Sequence, residues 1–574
     1  MRKILSLIPQ SMRPKTYGVV LTSIVRALLN FIGLAAVLPI LMLVLDPDSL
    51  MSNMWVEKIF LYLRFSSINY FIIAICIGVF LVYLVKNILN IFIINFQNKY
   101  YFQLYHYFTN LMFVDYFHKD LTFMKQNHPV TLTHQVNSAS SALAFNVLAS
   151  IVNIISEGVL IFLLLVTVLC YNPPVFLMLL IVFLPISIAY VFVVKRKLET
   201  YGKEEHKVRR QQNRLINETF KGYAEIVLNK AFASIKKRFD SNLELLKFYK
   251  LKNERISNLP FLILEMGVVI GMIVLILMNL HTDGSTLKIL FAVFSIAALR
   301  MLPAIRTVVS RWMQIKFNQY AIDIISENIN TKTIVEKEED SCQDRLTFQN
   351  AIHVDNIYYT FEDELNTPII EALSFSVKKG ECVGIKGATG VGKTTLFYLL
   401  MGFYFPQKGK ITIDNEELTP KTLKAWQNMI AYVSQEVFIF DASFAQNIAM
   451  TLDNDKIDRD KINKVLETVK LQSLFALYPD GMDTKIGEIT NRLSGGEKQR
   501  LGIARALYKD AEVLFFDEAT SALDAQTEQD IRLTIQQLLE SEKNLTILMI
   551  AHRETSLHCC TKIIDIENKR IINT

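Results

Sequence analysis

The apolar positions of this chain follow two regimes. Up to residue 313 they come in long runs broken by charged stretches, whereas from residue 346 onward they recur at the short periods of an ordinary α/β domain. A bilayer core of about 30 Å takes roughly 20 apolar residues of helix, and the runs at 17–45, 68–96, 144–171, 174–195, 257–280 and 284–305 meet that length. The pattern therefore predicts a membrane α-helical domain with six transmembrane helices over 1–313, a linker over 314–345 and a soluble α/β domain over 346–574. The basic stretch MRKILSLIPQSMRPK leads into a run too long for a signal peptide and without a small-residue cleavage site, so that run is expected to remain as the first span.

The loops sort the two sides of the membrane. Those around 99–130 and 195–256 are long and rich in Lys and Arg, as in KRKLETYGKEEHKVRRQQNR, while LDPDS, CYNPP and HTDGS are short and carry none. Lys and Arg accumulate in cytoplasmic loops, so the long loops face the cytoplasm. An even number of spans then leaves both termini and the soluble domain there too. Helical patterns run past the second and fourth spans and turn back near FMKQNHPVT and FKGYAEIVLN, two hairpins suited to docking on the soluble domain. Between the first two spans, Trp55, Ile59 and Leu63 share one face of an amphipathic segment expected at the outer interface.

Composition changes the picture only when divided between these halves. The 574 residues are 51% hydrophobic and 20% charged, with a mean hydropathy of +0.28, which is too apolar for a soluble protein of this size. The net charge of +6 comes partly from the basic loops. It fits a membrane protein rather than a nucleic-acid binder, and no nucleic-acid partner is expected. Cys76, Cys170, Cys342, Cys382, Cys559 and Cys560 show neither metal-ligand nor disulfide-framework spacing. They are expected to be reducible thiols without a role, the adjacent pair being small buried or half-buried residues.

Chemistry enters at GECVGIKG, GATGVGKTT and LFYLLMGF, a strand, glycine-rich turn and helix in the order of a phosphate-binding loop. Backbone N–H groups over Gly387, Ala388, Thr389, Gly390, Val391, Gly392, Lys393, Thr394 and Thr395 are placed to wrap phosphates, helped by the positive end of the helix. Lys393 reaches the β and γ phosphates and Thr394 offers a hydroxyl to Mg²⁺. Asp517 closes the apolar strand VLFF, placed to hold Mg²⁺, and Glu518 beside it can polarise an attacking water.

These motifs belong to a series in fixed order: YVSQEVFIF with Gln435, RLSGGEKQRLGIARAL, VLFFDEATSALD, and LMIAHRE with His552. The series resembles the ATP-binding cassette family, to which LSGGEKQR is nearly private. A six-span membrane domain ahead of one cassette is the half-transporter arrangement of ABC exporters. The resemblance implies the ABC exporter fold with a P-loop cassette, and ATP with Mg²⁺ as ligands. It places His552 on the γ-phosphate, Gln435 as sensor of Mg²⁺ and of the membrane domain, and Asp524 as the D-loop residue. Phe361, in NIYYTFED, falls where the family has an adenine-stacking tyrosine, with Tyr359 as the neighbouring alternative. In the family, Ser494, Gly495 and Gly496 close on the ATP of a second cassette, which implies a homodimer. Glu497 replaces the commoner glutamine at a position that sets the helix start.

Lys86, Glu157, Glu265 and Arg300 lie within spans. A mere membrane anchor for an ABC ATPase acting on DNA or ribosomes has no use for such residues, whereas a transporter has. Over its full length the chain resembles bacterial lipid-linked oligosaccharide flippases of N-glycosylation systems. The shared features are the external amphipathic segment, a cation followed by NILN, and the order Arg300, Pro303, Arg306 in the sixth span. The implied cargo is a lipid-linked oligosaccharide pyrophosphate held by Lys86, Arg300 and Arg306, with Arg311 on the cytoplasmic helix surface. Exporters of lipid A, drugs or peptides are the alternative, the peptide reading being disfavoured because no peptidase-like segment precedes the first span.

Overall fold

The apolar runs fold as helices that outlast the bilayer. A computed structural model describes residues 6–37, 68–278, 284–328, 346–361, 368–475, 477–487, 493–517, 525–541, 544–551, 557–568 and 570–573. It divides into two units, Met1–Ile334 and Val335–Thr574. The first contains α1 (Arg13–Ala35), α2 (Ile68–Phe117), α3 (Ala149–Tyr171), α4 (Pro173–Lys221), α5 (Phe232–Met278) and α6 (Gly284–Phe317). Among the described residues, six helices are long and apolar enough to cross a membrane, as the pattern predicts. With 50 residues in α2 and 49 in α4, each is about 75 Å long at ~1.5 Å per residue. That is more than twice the hydrocarbon thickness, so each continues well outside it. The segment with Trp55, Ile59 and Leu63 lies outside the described residues.

Local chemistry sets where these helices start and meet. Asn172 caps α4 by accepting from the Val175 N–H at 3.2 Å, with proline in the first turn, where a missing N–H costs nothing. Pro260 inside α5 cannot donate to the Ile256 carbonyl one turn back. The Tyr190 hydroxyl of α4 donates to that carbonyl instead, at 2.5 Å, and ties α4 to α5. At Gly202 of α4, a Cβ would stand 1.8 Å from the Phe317 carbonyl oxygen. Here α4 touches the end of α6 backbone to backbone.

The expected linker is shorter than 314–345. α6 continues to Phe317, and a further helix, α7 (Gln319–Asn328), buries Ala321, Ile322 and Ile325 in one core with Tyr100, Leu104 and Phe108 of α2. Its apolar residues recur at helical spacing, so they belong on a packed face rather than in a connector.

The second unit contains two sheets. One is antiparallel in the order β2-β1-β4-β5, and the other has six strands in the order β10-β9-β3-β8-β7-β6. Their ranges are β1 (Ala351–Tyr359), β2 (Ile370–Lys378), β3 (Cys382–Lys386), β4 (Lys408–Ile413), β5 (Glu416–Glu417), β6 (Ile430–Val433), β7 (Val513–Asp517), β8 (Thr546–Ile550), β9 (Lys562–Asp565) and β10 (Arg570–Asn573). From β9 through β6 the second sheet is parallel. Every residue of β7 and β8 is buried, because a parallel sheet is covered on both faces, and this is why VLFF and TILMI read as unbroken apolar runs. Among the helices of this unit are α8 (Lys393–Leu400), α9 (Gly495–Tyr508) and α10 (Ala525–Ser541). β8 separates β3 from β7, so the carboxyl ends of β3 and β7 open at one edge, where parallel α/β sheets bind ligands.

Candidate nucleotide site and membrane cations

Between the end of β3 and the start of α8 the chain reverses over residues 387–392. Gly390 and Gly392 do this with φ of +86° and +103°, conformations that only glycine adopts without strain. Their surroundings differ. A Cβ on Gly392 would lie 2.7 Å from Ile369 Cγ2, whereas one on Gly390 would meet nothing within 4 Å. Gly392 is thus packed against its own chain, and Gly390 faces open space. Ala388, Thr389 and Gly390 form the exposed crest of the turn, while Gly387, Val391 and Thr395 are half-buried. Lys393, only 6% exposed, folds its ammonium back to donate to the carbonyls of Gly387 at 2.8 Å and Ala388 at 3.1 Å.

At the second residue of α8, the Thr394 hydroxyl donates to Asp517 Oδ1 across 3.5 Å. The Tyr432 hydroxyl of β6 donates to Asp517 Oδ2 at 2.9 Å. Burial, together with the Asp517 charge, pushes the Tyr432 phenol above its ordinary pKa, so it remains a donor. A hydroxyl and a buried carboxylate facing each other are hard oxygen donors of the kind Mg²⁺ prefers, and the pair fits that ion. Glu518, Asp524 and His552 lie outside the described residues.

Ser494 starts α9 by a reciprocal cap. Its hydroxyl accepts from the Glu497 N–H at 3.2 Å, and the Glu497 carboxylate accepts from the Ser494 N–H at 2.7 Å. Glu497 therefore sets the helix start, as expected, with Ser494 and Gly495 exposed and Gly496 buried behind them. Gln499 of the same helix donates to the carbonyls of Ser434 at 3.2 Å and Gln435 at 2.7 Å. This holds the turn that presents the exposed Gln435 side chain.

Residues 370–521 match the ABC transporter family. The structure superimposes on a bacterial Atm1-family ABC exporter with ATP bound at a TM-score of 0.77, covering 98% of this chain and 96% of that one at 21% identity. The chain has the ABC exporter fold. Its half-transporter architecture places one membrane domain ahead of one cassette. It is 39% identical over 204 residues to an ATP-dependent lipid A-core flippase of Ralstonia nicotianae, covering 35% of this chain and 34% of the flippase. A flippase of the same name from Saccharophagus degradans is 29% identical over 381 residues, 65% of this chain and 62% of that protein. ABC transporter B family member 28 of Arabidopsis thaliana is 33% identical over 227 residues, 40% of this chain and 31% of that protein. The aligned part thus spans about a third of the Ralstonia and Arabidopsis proteins and under two thirds of the Saccharophagus one.

In the cassette of this exporter fold, Tyr359 is 8% exposed and lies stacked on Tyr404, ring centroids 5.3 Å apart. Phe361 is half-buried and meets both rings edge-on, at 5.3 and 5.7 Å. Of the two alternatives for adenine stacking, only Phe361 has a ring that this cluster props up while leaving it partly open.

Within the membrane domain, Lys86 of α2 lies across Gly33 of α1, where an added Cβ would stand 2.8 Å from its Cδ. The Lys86 ammonium sits 4.6 Å from the Tyr83 ring centre. Arg300 of α6 is close enough to act electrostatically on both Lys86 and Glu157, and its Nε is buried without a hydrogen-bond partner among the described residues. Arg26 of α1, which the sequence reading passed over inside an apolar run, also acts on Glu157. Arg306 is turned elsewhere, its guanidinium 4.5 Å over the Phe261 ring of α5. Arg311 donates to Gln314 at 2.8 Å. Arg300 thus acts on both Lys86 and Glu157, while Arg306 stands against an aromatic face.

Proposed function

We propose that the chain works as a homodimer that hydrolyses ATP and uses the reaction to flip a lipid-linked oligosaccharide pyrophosphate across the cytoplasmic membrane, with the cassette and both termini in the cytoplasm. The observation that carries the ATP reading is the meeting of Lys393, Thr394 and Asp517 at the open edge of the sheet. In this reading, N–H groups of 387–395 cradle the phosphates and Lys393 exchanges two loop carbonyls for phosphate oxygens. Thr394 and Asp517 would hold Mg²⁺, with Gln435 near it; the ion would neutralise charge on the β and γ oxygens. Glu518 accepts the proton of the water that attacks the γ-phosphorus while the bond to ADP breaks, and His552 steadies the γ-phosphate. Phe361 stacks on adenine. Ser494, Gly495 and Gly496, with Asp524, complete the site of the partner copy, so each dimer has two such sites.

The cargo reading rests on Lys86 and Arg300. Charge inside a span is costly unless it is matched, and a pyrophosphate offers oxygens to the flat guanidinium fork and a counter-charge to the ammonium. Arg306 is the outlying member. A second reading, lipid A-core, is favoured by the names of the flippases that the chain resembles. ATPase stimulation in liposomes separates the two. Polyprenyl-pyrophosphate sugars should raise turnover, whereas a response to lipopolysaccharide alone would replace the first reading by the second.

A further inference from the structure

Away from the nucleotide, the cassette gathers its softest donors. Cys382 opens β3, and Cys559 and Cys560 lie just ahead of β9. Folding brings the sulfurs of Cys382 and Cys560, 178 positions apart, to 3.6 Å. All three Sγ atoms lie within 4.8 Å of one another, and the Met549 thioether of β8 lies 3.9 Å from Cys559 Sγ.

The scaffold under this cluster is stiff. β3 is paired on one side by β8 and on the other by β9. The Thr561 N–H and hydroxyl both donate to the Cys382 carbonyl, at 2.9 and 3.1 Å. Room for the Cys560 thiol comes from Gly384, where a Cβ would stand 3.2 Å from that sulfur and 2.7 Å from Leu557 Cδ2. Cys382 and Cys560 are 2% and 3% exposed. Cys559 is half-buried.

Three sulfurs around one ion at a bond length of ~2.3 Å sit about 4.0 Å apart when the arrangement is planar. The Cys382–Cys560 separation of 3.6 Å falls just short of that value and no pair exceeds 4.8 Å, so small side-chain adjustments accommodate an ion. Among the described residues the donor group contains no imidazole or carboxylate, and a thiolate and thioether set favours soft, closed-shell ions over Mg²⁺ or Ca²⁺. The Met549 thioether, 3.9 Å from Cys559 Sγ, tips the choice from zinc(II) toward copper(I). We infer that Cys382, Cys559 and Cys560 form a trigonal copper(I) site, with Met549 as a weak fourth donor, which clamps the strand leading into the phosphate-binding turn. On binding, each thiol releases its proton to solvent and forms one copper–sulfur bond, with no change of oxidation state. The Arg532 guanidinium acts on Cys559 and offsets part of the resulting negative charge.

The test uses the detergent-solubilised full chain, reduced and metal-free, titrated anaerobically with copper(I) in competition with a chromogenic copper(I) chelator. One equivalent should bind with a thiolate-to-copper charge-transfer band in the near ultraviolet, and the thermal midpoint should rise. A variant with Cys76, Cys170 and Cys342 replaced by Ser should bind equally well. Cys382→Ala and Cys560→Ala should remove the band. Cys559→Ala, at the half-buried position least prone to disturb folding, should weaken binding by more than about tenfold. Unchanged affinity in Cys559→Ala, copper uptake without the band, or tighter binding of zinc(II) than of copper(I) would each overturn the assignment.

Discussion

Alanine at Gly390 and alanine at Gly392 should separate the two tasks of the phosphate-binding turn. Both positions have positive φ, +86° and +103°, so each alanine carries backbone strain on the order of 1–2 kcal/mol. At Gly392 the new methyl would also stand 2.7 Å from Ile369 Cγ2 and 3.3 Å from the Ile369 carbonyl oxygen. Overpacking adds roughly 1–3 kcal/mol, so the cassette should lose about 2–5 kcal/mol in total. At Gly390 the methyl meets nothing within 4 Å. The stability loss there stops at the strain, and the methyl occupies the space assigned to phosphate. Thermal unfolding of the full chain without nucleotide should therefore fall further for Gly392→Ala than for Gly390→Ala. Titration with a fluorescent ATP analogue should show Gly390→Ala weakened by about tenfold or more, equivalent to at least ~1.4 kcal/mol of binding. Wild-type affinity in Gly390→Ala would refute the turn as the phosphate cradle, and equal melting of the two variants would mean that the Ile369 contact yields without cost.

Three further substitutions test separate parts of the account. Glu518→Gln should stop turnover while ATP binding persists in equilibrium titration, since it removes the base and spares the cradle; loss of both together would contradict the assigned role. Tyr190→Phe leaves the Ile256 carbonyl freed by Pro260 without its donor and should lower stability by about 1 kcal/mol in a denaturant titration; an unchanged midpoint would show that the bond contributes nothing net. Gly202→Ala drives a methyl into the Phe317 carbonyl and should force α4 from α6, read as a large drop in thermal midpoint; a melt within error of wild type would mean that the helices separate freely.

What the sequence revealed in advance were the features whose signal is contiguous. A bilayer imposes a length on apolar runs, so six helices could be counted. The phosphate-binding segment needs its glycines, lysine and threonine side by side, and the structure places them from the end of β3 into the first turn of α8 as the order of residues required. Features that depend on distant chain segments had no such signal. The bond from Tyr190 to Ile256, the grip of Gln499 on the Gln435 turn, and the approach of Cys382 to Cys560 join positions 66, 64 and 178 apart. Arg26 leaves little trace in the sequence because one cation inside an apolar run changes its average little. The packed face of α7 is hard to see in the sequence because polar residues at the end of α6 come just before it. The start of α3 at Ala149 falls after π turns over Gln135–Ala139 and Ala142–Leu148, a change of pitch that residue spacing does not reveal.

The central claim, that ATP hydrolysis moves a pyrophosphate-linked lipid past Lys86 and Arg300, is tested most directly by translocation in proteoliposomes. A fluorescent polyprenyl-pyrophosphate oligosaccharide is followed across the bilayer with and without ATP, for the wild type, Lys86→Ala and Arg300→Ala. The account predicts ATP-dependent movement by the wild type and none by either variant, with ATP binding retained in both. Movement at the wild-type rate in both variants, or a wild type that moves lipopolysaccharide and leaves the pyrophosphate-linked lipid in place, would contradict it.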